Sequence, residues 1–261
     1  FPPAGERCRR QRGVRSDAMV LLGHGSLAAE SGVAMFRHAT LLQERGVASR
    51  VTAGFLNFSE PSIDESVASC VAEGARRIAL VLYFLVGGKY VREDVPRVLE
   101  RLRRSHPGAE IDATRHLSDH PSLAAIVRDR AEARLGRRLS AADAIVMLVH
   151  GSPYDDANDD VRRVAARLAR DGVCVIVGFM EINCPTIDEA IEQAMGQSTG
   201  TVVAVPYFLH VGRHVRDDLP DAIARVTLEH PGRAILLAEH LGYDARIAEI
   251  LEERARETVL V

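Results

Sequence analysis

The chain has 261 residues, 47% of them apolar and 26% charged, with a formal net charge of −3. That balance supplies a packed core and an ordinary soluble surface, and it excludes a strongly basic field for nucleic acid or an anionic membrane. No apolar run approaches the ~20 residues that span a bilayer. The four cysteines, Cys8, Cys70, Cys174 and Cys184, lie too far apart for a C-x-x-C metal motif and give no reason for a disulfide framework. A cytoplasmic enzyme or binding protein is the expectation.

In chain order, Phe1 to Ala18 carries Arg7, Arg9, Arg10, Arg12 and Arg15 without apolar periodicity. It lacks the apolar stretch of a secretory signal and reads as an extension before a start at Met19, outside the fold. Met19–Leu22 is a buried strand, and Glu30–Arg45 has the apolar spacing of a helix. Arg50–Leu56 is a second strand. Ser62–Glu73 is a helix whose first turn carries Asp64 and Glu65, where the helix dipole favours acid. Ile78–Phe84 is a continuous Ile/Leu/Val run, as in a strand covered on both faces. Asp94-Val95-Pro96 opens a helix to Arg104, with Pro early, where its missing N–H costs nothing. Glu110–Arg115 is a fourth strand and Ser122–Leu135 a closing helix.

The whole pattern then recurs, with strands near 145–149, 174–180, 201–208 and 234–239. MVLLGHGS at 19–26 matches IVMLVHGS at 145–152, and GFLNFSEPSI at 54–63 matches GFMEINCPTI at 178–187. YFLVGGKYVREDVP at 83–96 matches YFLHVGRHVRDDLP at 207–220. The offset is 126 at the first block and 124 at the later ones, so the chain is two copies of one unit, residues 19–138 and 139–261. Strand–helix alternation implies two tandem homologous α/β domains, each a doubly wound parallel sheet with right-handed crossovers. In such sheets ligands bind beyond the carboxyl ends of the strands. There stand His24 and His150 after strand one, Asn57 and Glu181 after strand two, and Tyr90 and His214 in the loop after strand three.

His150, Glu181 and His214 are the candidate metal ligands and catalytic groups. Two imidazoles and a carboxylate suit Co²⁺, Fe²⁺, Ni²⁺ or Zn²⁺ and leave coordination positions open, and the same groups could accept protons. A single His before Gly-Ser reads better as a core or capping residue; three ligand types at three equivalent strand ends reverse that preference. In copy one, Asn57 and Tyr90 are poor ligands, so His24 and Tyr90 read as cleft-facing groups that touch substrate. Ser26 and Ser152, in the Gly-Ser turns, and Lys89, Arg213 and Arg216, in basic loops, complete the candidate substrate contacts. The acidic pairs Glu93-Asp94 and Asp217-Asp218 read as caps of the next helix, His210 as an optional auxiliary ligand, and His116 and His240 as structural.

These blocks resemble the sirohydrochlorin chelatase family, the CbiX/SirB type, related in fold to ferrochelatase. The resemblance runs from Met19 to about Glu253. It rests on GHGS/VHGS, the F-x-E-x-x-x-P-[ST]-I segment and the YFL-x-x-G-x-H-x-x-D-[DE]-[ILV]-P loop. It implies insertion of Co²⁺ or Fe²⁺ into sirohydrochlorin, a tetrapyrrole with eight carboxylate arms, or into a related tetrapyrrole, on the way to cobalamin or siroheme; the donor set leaves Ni²⁺ as a further candidate. It also implies no organic cofactor and a monomer in which duplication replaces the homodimer of short members, with the macrocycle in a cleft between the two halves; the charge balance gives no reason for a nucleic-acid or membrane partner. The family's two histidines and glutamate map onto His150, Glu181 and His214. Long members keep that set in the first half, so its position here is a departure. Two other readings stay open: a non-catalytic metal or tetrapyrrole delivery protein, and a hydrolase or phosphatase using His24 or His150. The second lacks the Arg next to the His and any G-x-S-x-G.

Overall fold

A computed structural model describes residues 16–26 and 32–258 of the chain. The extension through Arg15, with Cys8, lies outside the described residues, as do Glu30 and Ser31 of the first expected helix. The last two residues assigned to that extension belong to the fold. Asp17 accepts the backbone N–H groups of Arg76 and Arg77 at 3.0 and 2.9 Å, and Ala18 opens the first strand.

Copy one runs β1 (Ala18–Gly23), α1 (Val33–Glu44), β2 (Arg50–Phe55), α2 (Ile63–Ala72), β3 (Arg77–Leu82), α3 (Val95–Ser105), β4 (Glu110–Ala113) and α4 (Pro121–Leu135). Copy two runs β5 (Ala144–Val149), α5 (Asp155–Ala169), β6 (Cys174–Phe179), α6 (Ile187–Gln197), β7 (Val202–Pro206), α7 (Leu219–Glu229), β8 (Ile235–Leu237) and α8 (Ala245–Thr258). Local chemistry accounts for the helix starts. Ser62 and Thr186 each form a reciprocal capping box with the glutamate three residues on, which satisfies two otherwise orphan N–H groups. Pro96 and Pro220 sit in the first turns of α3 and α7.

The segment read as a loop after the third strand is instead a π-helical turn in both copies, Tyr90–Asp94 and His214–Asp218, leading directly into α3 and α7. The acidic pairs do not cap those helices, and neither Asp94 nor Asp218 makes a side-chain cap bond.

The sheets have the orders β2-β1-β3-β4 and β6-β5-β7-β8 with every pairing parallel. The doubly wound expectation holds in each. In both orders the chain reverses its winding beside the first strand, so His24 and Tyr90, and again His150 and His214, follow the two strands at the switch point.

Outer helices α2 with α3, and α6 with α7, cover one face of each sheet with separate apolar clusters. The inner faces share a single cluster that joins Leu21 and Tyr83 of copy one to Met147 and Tyr207 of copy two. Within it the closing helices are exchanged: α4 packs on β7 and α5, whereas α8 packs on β3 and α1. Two arginines at equivalent places secure the exchange. Arg130 of α4 donates to the carbonyls of His240 and Leu241 at 3.1 and 2.8 Å. Arg254 of α8 donates to those of His116 and Leu117 at 3.0 and 2.9 Å. Apolar spacing marks a face to be buried without saying which sheet will cover it, so the exchange had no trace in the periodicity.

Candidate metal centre

Parallel pairing brings His150 and Glu181 side by side. Val149 stands opposite Phe179 in the register. The pairing continues past the strand ends, where Met180 N–H donates to Val149 O at 2.9 Å and Glu181 N–H to His150 O at 3.1 Å. Gly151 permits this approach: its φ is +95°, and a Cβ there would lie 2.3 Å from the Glu181 carbonyl oxygen. Only glycine fits.

His214 arrives from the switch-point neighbour β7, at the start of its π-helical turn. Its Nδ1 lies 2.8 Å from the Asp218 carboxylate. With that nitrogen donating, Nε2 keeps the lone pair a metal needs. The His150 and His214 rings meet edge to face with centroids 5.2 Å apart, and His150 Nε2 lies 3.9 Å from Glu181 Oε2. One ligand atom from each of the three falls within 4.8 Å of the others, and among the described residues this is the one such group. Ligands about 2.1 Å from a tetrahedral metal stand roughly 3.4 Å apart. Small side-chain rotations would therefore close the set on a cation. The three side chains are 46%, 54% and 36% exposed, so a metal held there stays open to a second ligand.

Copy one has the same scaffold with different chemistry. Tyr90 lies against His24 with ring centroids 4.0 Å apart, and His24 Nδ1 is 2.7 Å from Gly25 O. Burial, then the charge of Asp94, pushes the Tyr90 phenol above its ordinary range and so favours the neutral form over a phenolate. A cavity of about 210 Å³ separates the copies, walled by Tyr83, Phe84 and Val86 on one side and Tyr207, Phe208 and His210 on the other, with His24 and His150 in its lining. Its apolar walls are nearly two-fold symmetric, and His210 opposite Val86 breaks that symmetry. His210 packs on Tyr83 with centroids 5.2 Å apart and is not part of the ligand cluster.

The remaining sequence candidates are spread along the rim. Ser152 is buried, and its hydroxyl accepts the Tyr154 N–H at 3.2 Å within its own loop. Ser26 bonds through its backbone to Ser59, at 3.0 Å in both directions. Lys89 is exposed at the head of the first π-helical turn. Arg213 is 81% exposed and 3.5 Å from Asp218, and Arg216 lies side-on to Asp217. His116 is 2.9 Å from Asp160, a structural pairing.

Two features escaped the sequence reading. One is Asp218 as partner of His214, hinted at by the i, i+4 His/Asp spacing. The other is a clasp between copies, in which Arg92 pairs with Asp156 and Tyr154 donates to Glu93 at 3.0 Å. Tyr154 and Asp156 have no matching motif in copy one, so nothing in the sequence signalled it.

The CbiX family model matches the chain twice, over residues 18–134 and 144–258. A sirohydrochlorin cobaltochelatase of Priestia megaterium is 26% identical over 245 residues, 92% of this chain and 79% of that protein. A sirohydrochlorin ferrochelatase of the same organism is 30% identical over 127 residues, 48% of each chain. Among solved structures, the sirohydrochlorin chelatase SirB of Bacillus subtilis subspecies spizizenii in complex with cobalt superposes with a TM-score of 0.77 at 22% identity, over 93% of this chain and 95% of that one. That likeness places the fold, two four-stranded parallel sheets with helices on both faces. With a match to each copy that leaves out little more than the linker and the termini, this chain belongs to the CbiX family.

Proposed function

We propose that the protein is a metal chelatase that inserts Co²⁺ or Fe²⁺ into sirohydrochlorin, taking the metal from His150, Glu181 and His214. The observation that carries the reading is the convergence of these three donors, one of which, His150, lines the cavity between the copies. Metal and macrocycle are both substrates. The metal docks on the half-exposed donors, and the tetrapyrrole enters the cleft with its pyrrole nitrogens towards them. As the ring nitrogens replace the protein ligands, the freed imidazole and carboxylate groups take up the two protons displaced from the pyrrole N–H groups. Lys89 and Arg213 are assigned to the peripheral carboxylates, and His24 and Tyr90 to the macrocycle edge. Arg216 takes part only if Asp217 releases it. Duplication supports a monomer, because one chain already supplies both walls of the cleft. Among the described residues no helix is long and apolar enough to cross a membrane.

The test is purified protein with sirohydrochlorin and Co²⁺, Fe²⁺ or Ni²⁺ in turn, followed by absorbance against an enzyme-free control. Faster metallation is expected with cobalt or iron. Outer-shell partners of a metal ligand are worth 10–100-fold. Glu181→Ala and His214→Ala should therefore each lower the rate by at least about 100-fold with an unchanged circular-dichroism spectrum. Full rates in both variants would refute the assignment, and stoichiometric binding without faster metallation would turn the reading to a delivery protein.

A further inference from the structure

Phe58 and Ile182 occupy one position in the two copies, each directly after the residue, Asn57 or Glu181, that ends the second-strand loop. Both have left-handed backbone, with φ of +60° and +67°. Each is the centre of a γ-turn, closed by Ser59 N–H on Asn57 O and by Asn183 N–H on Glu181 O, 2.7 Å in both cases. Both side chains are also exposed, at 66% and 68%, and neither belongs to any of the three apolar clusters.

Each property is unfavourable by itself. A γ-turn with positive φ is rare and strained, and a β-branched residue such as Ile is among the worst suited to it. A large apolar side chain left in water forgoes its transfer free energy. Gly or Asn would remove both costs. The neighbours have diverged since the duplication: Asn57 stands opposite Glu181, Ser59 opposite Asn183 and Glu60 opposite Cys184. The central residue has changed only from one large apolar type to another. A strained backbone and an exposed apolar group, kept together twice, point to contact with something outside the chain.

Position identifies the occupant. The Phe58 ring stands edge-on to His24 with centroids 5.9 Å apart, and His24 lines the shared cavity. Ile182 follows Glu181, whose carboxylate is 3.9 Å from His150 on the same cavity. Each copy thus carries one exposed apolar group next in sequence to the position of a metal donor in copy two, near a histidine that lines the cavity. A flat tetrapyrrole with apolar ring faces and charged edges presents the matching surface. We propose that Phe58 and Ile182 grip the apolar faces of the macrocycle and hold it in the cleft, a role that rests on the chelatase reading. The γ-turns aim these two side chains outwards and are retained for that reason.

The experiment compares Phe58→Asn, Ile182→Asn and the double variant with the wild type in three measurements. Asn is at home in left-handed backbone, so melting temperatures should hold or rise. Co²⁺ binding in the absence of tetrapyrrole should stay within about twofold. Binding of metal-free sirohydrochlorin, followed by its fluorescence, should weaken by about tenfold in the double variant, with a parallel rise in KM and little change in kcat. Phe58→Leu and Ile182→Leu should restore it. Unchanged macrocycle affinity in the double variant overturns the proposal, as does a fall in melting temperature with loss of Co²⁺ binding, which would make the pair structural. Because the fluorescence titration needs no turnover, a wild type that binds the macrocycle without metallating it would sink the chelatase reading and leave this contact standing.

Discussion

Asp218 is four residues beyond His214 and on the far side of its ring from the candidate metal. A carboxylate at 2.8 Å from Nδ1 fixes the ring's orientation and its tautomer, and it makes Nε2 a better donor. Asp218→Asn is expected to weaken Co²⁺ binding by about ten- to a hundredfold, read by calorimetric titration, with little change in melting temperature. An unaltered affinity would mean that the π-helical turn alone orients His214. The three metal donors were legible in the sequence because each is a ligand-type residue at an equivalent strand end. Asp218 was not, because an acid ahead of a helix looks the same whether it caps the helix or holds a histidine. Ser152 was misleading for a related reason: a hydroxyl in a Gly-Ser turn can face the ligand or, as here, lock its own loop.

At the level of elements, strands and outer helices followed from local pattern to within a few residues. Apolar runs marked the strands, and the acids in the first turn of Ser62–Glu73 marked that helix, whereas the capping boxes at Ser62 and Thr186 emerged only from the structure. The exchange of α4 and α8 did not follow, because it depends on which of two similar apolar sheet faces each helix meets. Leu251 of α8 is fully buried in the shared cluster. Leu251→Ala should cost about 2–5 kcal/mol and lower the melting temperature of both copies together. Chemical denaturation should show one transition. Two separated transitions, with only the second copy shifted, would contradict a common core.

For the molecule as a whole, His38 is a buried bond between the copies. Its Nε2 lies 2.9 Å from Asp244 O of copy two, its Nδ1 lies 3.1 Å from the Tyr83 hydroxyl, and Tyr243 stacks on it at 4.8 Å. Nε2 also lies 3.3 Å from the Asp244 backbone N, and a neutral imidazole, with one ring nitrogen donating and the other accepting, satisfies these partners. Burial depresses its pKa from 6.5 to about 4, the Asp244 contact opposing in part. The unfolded chain therefore takes up the proton first as pH falls. The stabilisation is complete above about pH 6.5 and is lost progressively as pH drops through 4, up to ~3 kcal/mol from this group. Melting curves between pH 7.5 and 4.5 should fall less steeply for His38→Gln than for the wild type, and equal slopes would exclude the linkage. The swapped helices carry one more consequence. Each sheet wears on its inner side a helix grown from the opposite half, so the two lobes are cross-braced and have no free hinge about the 136–143 linker. Drawing the lobes apart would strip α4 and α8 from the opposite sheets and open the common core to water, so the halves come apart together or not at all.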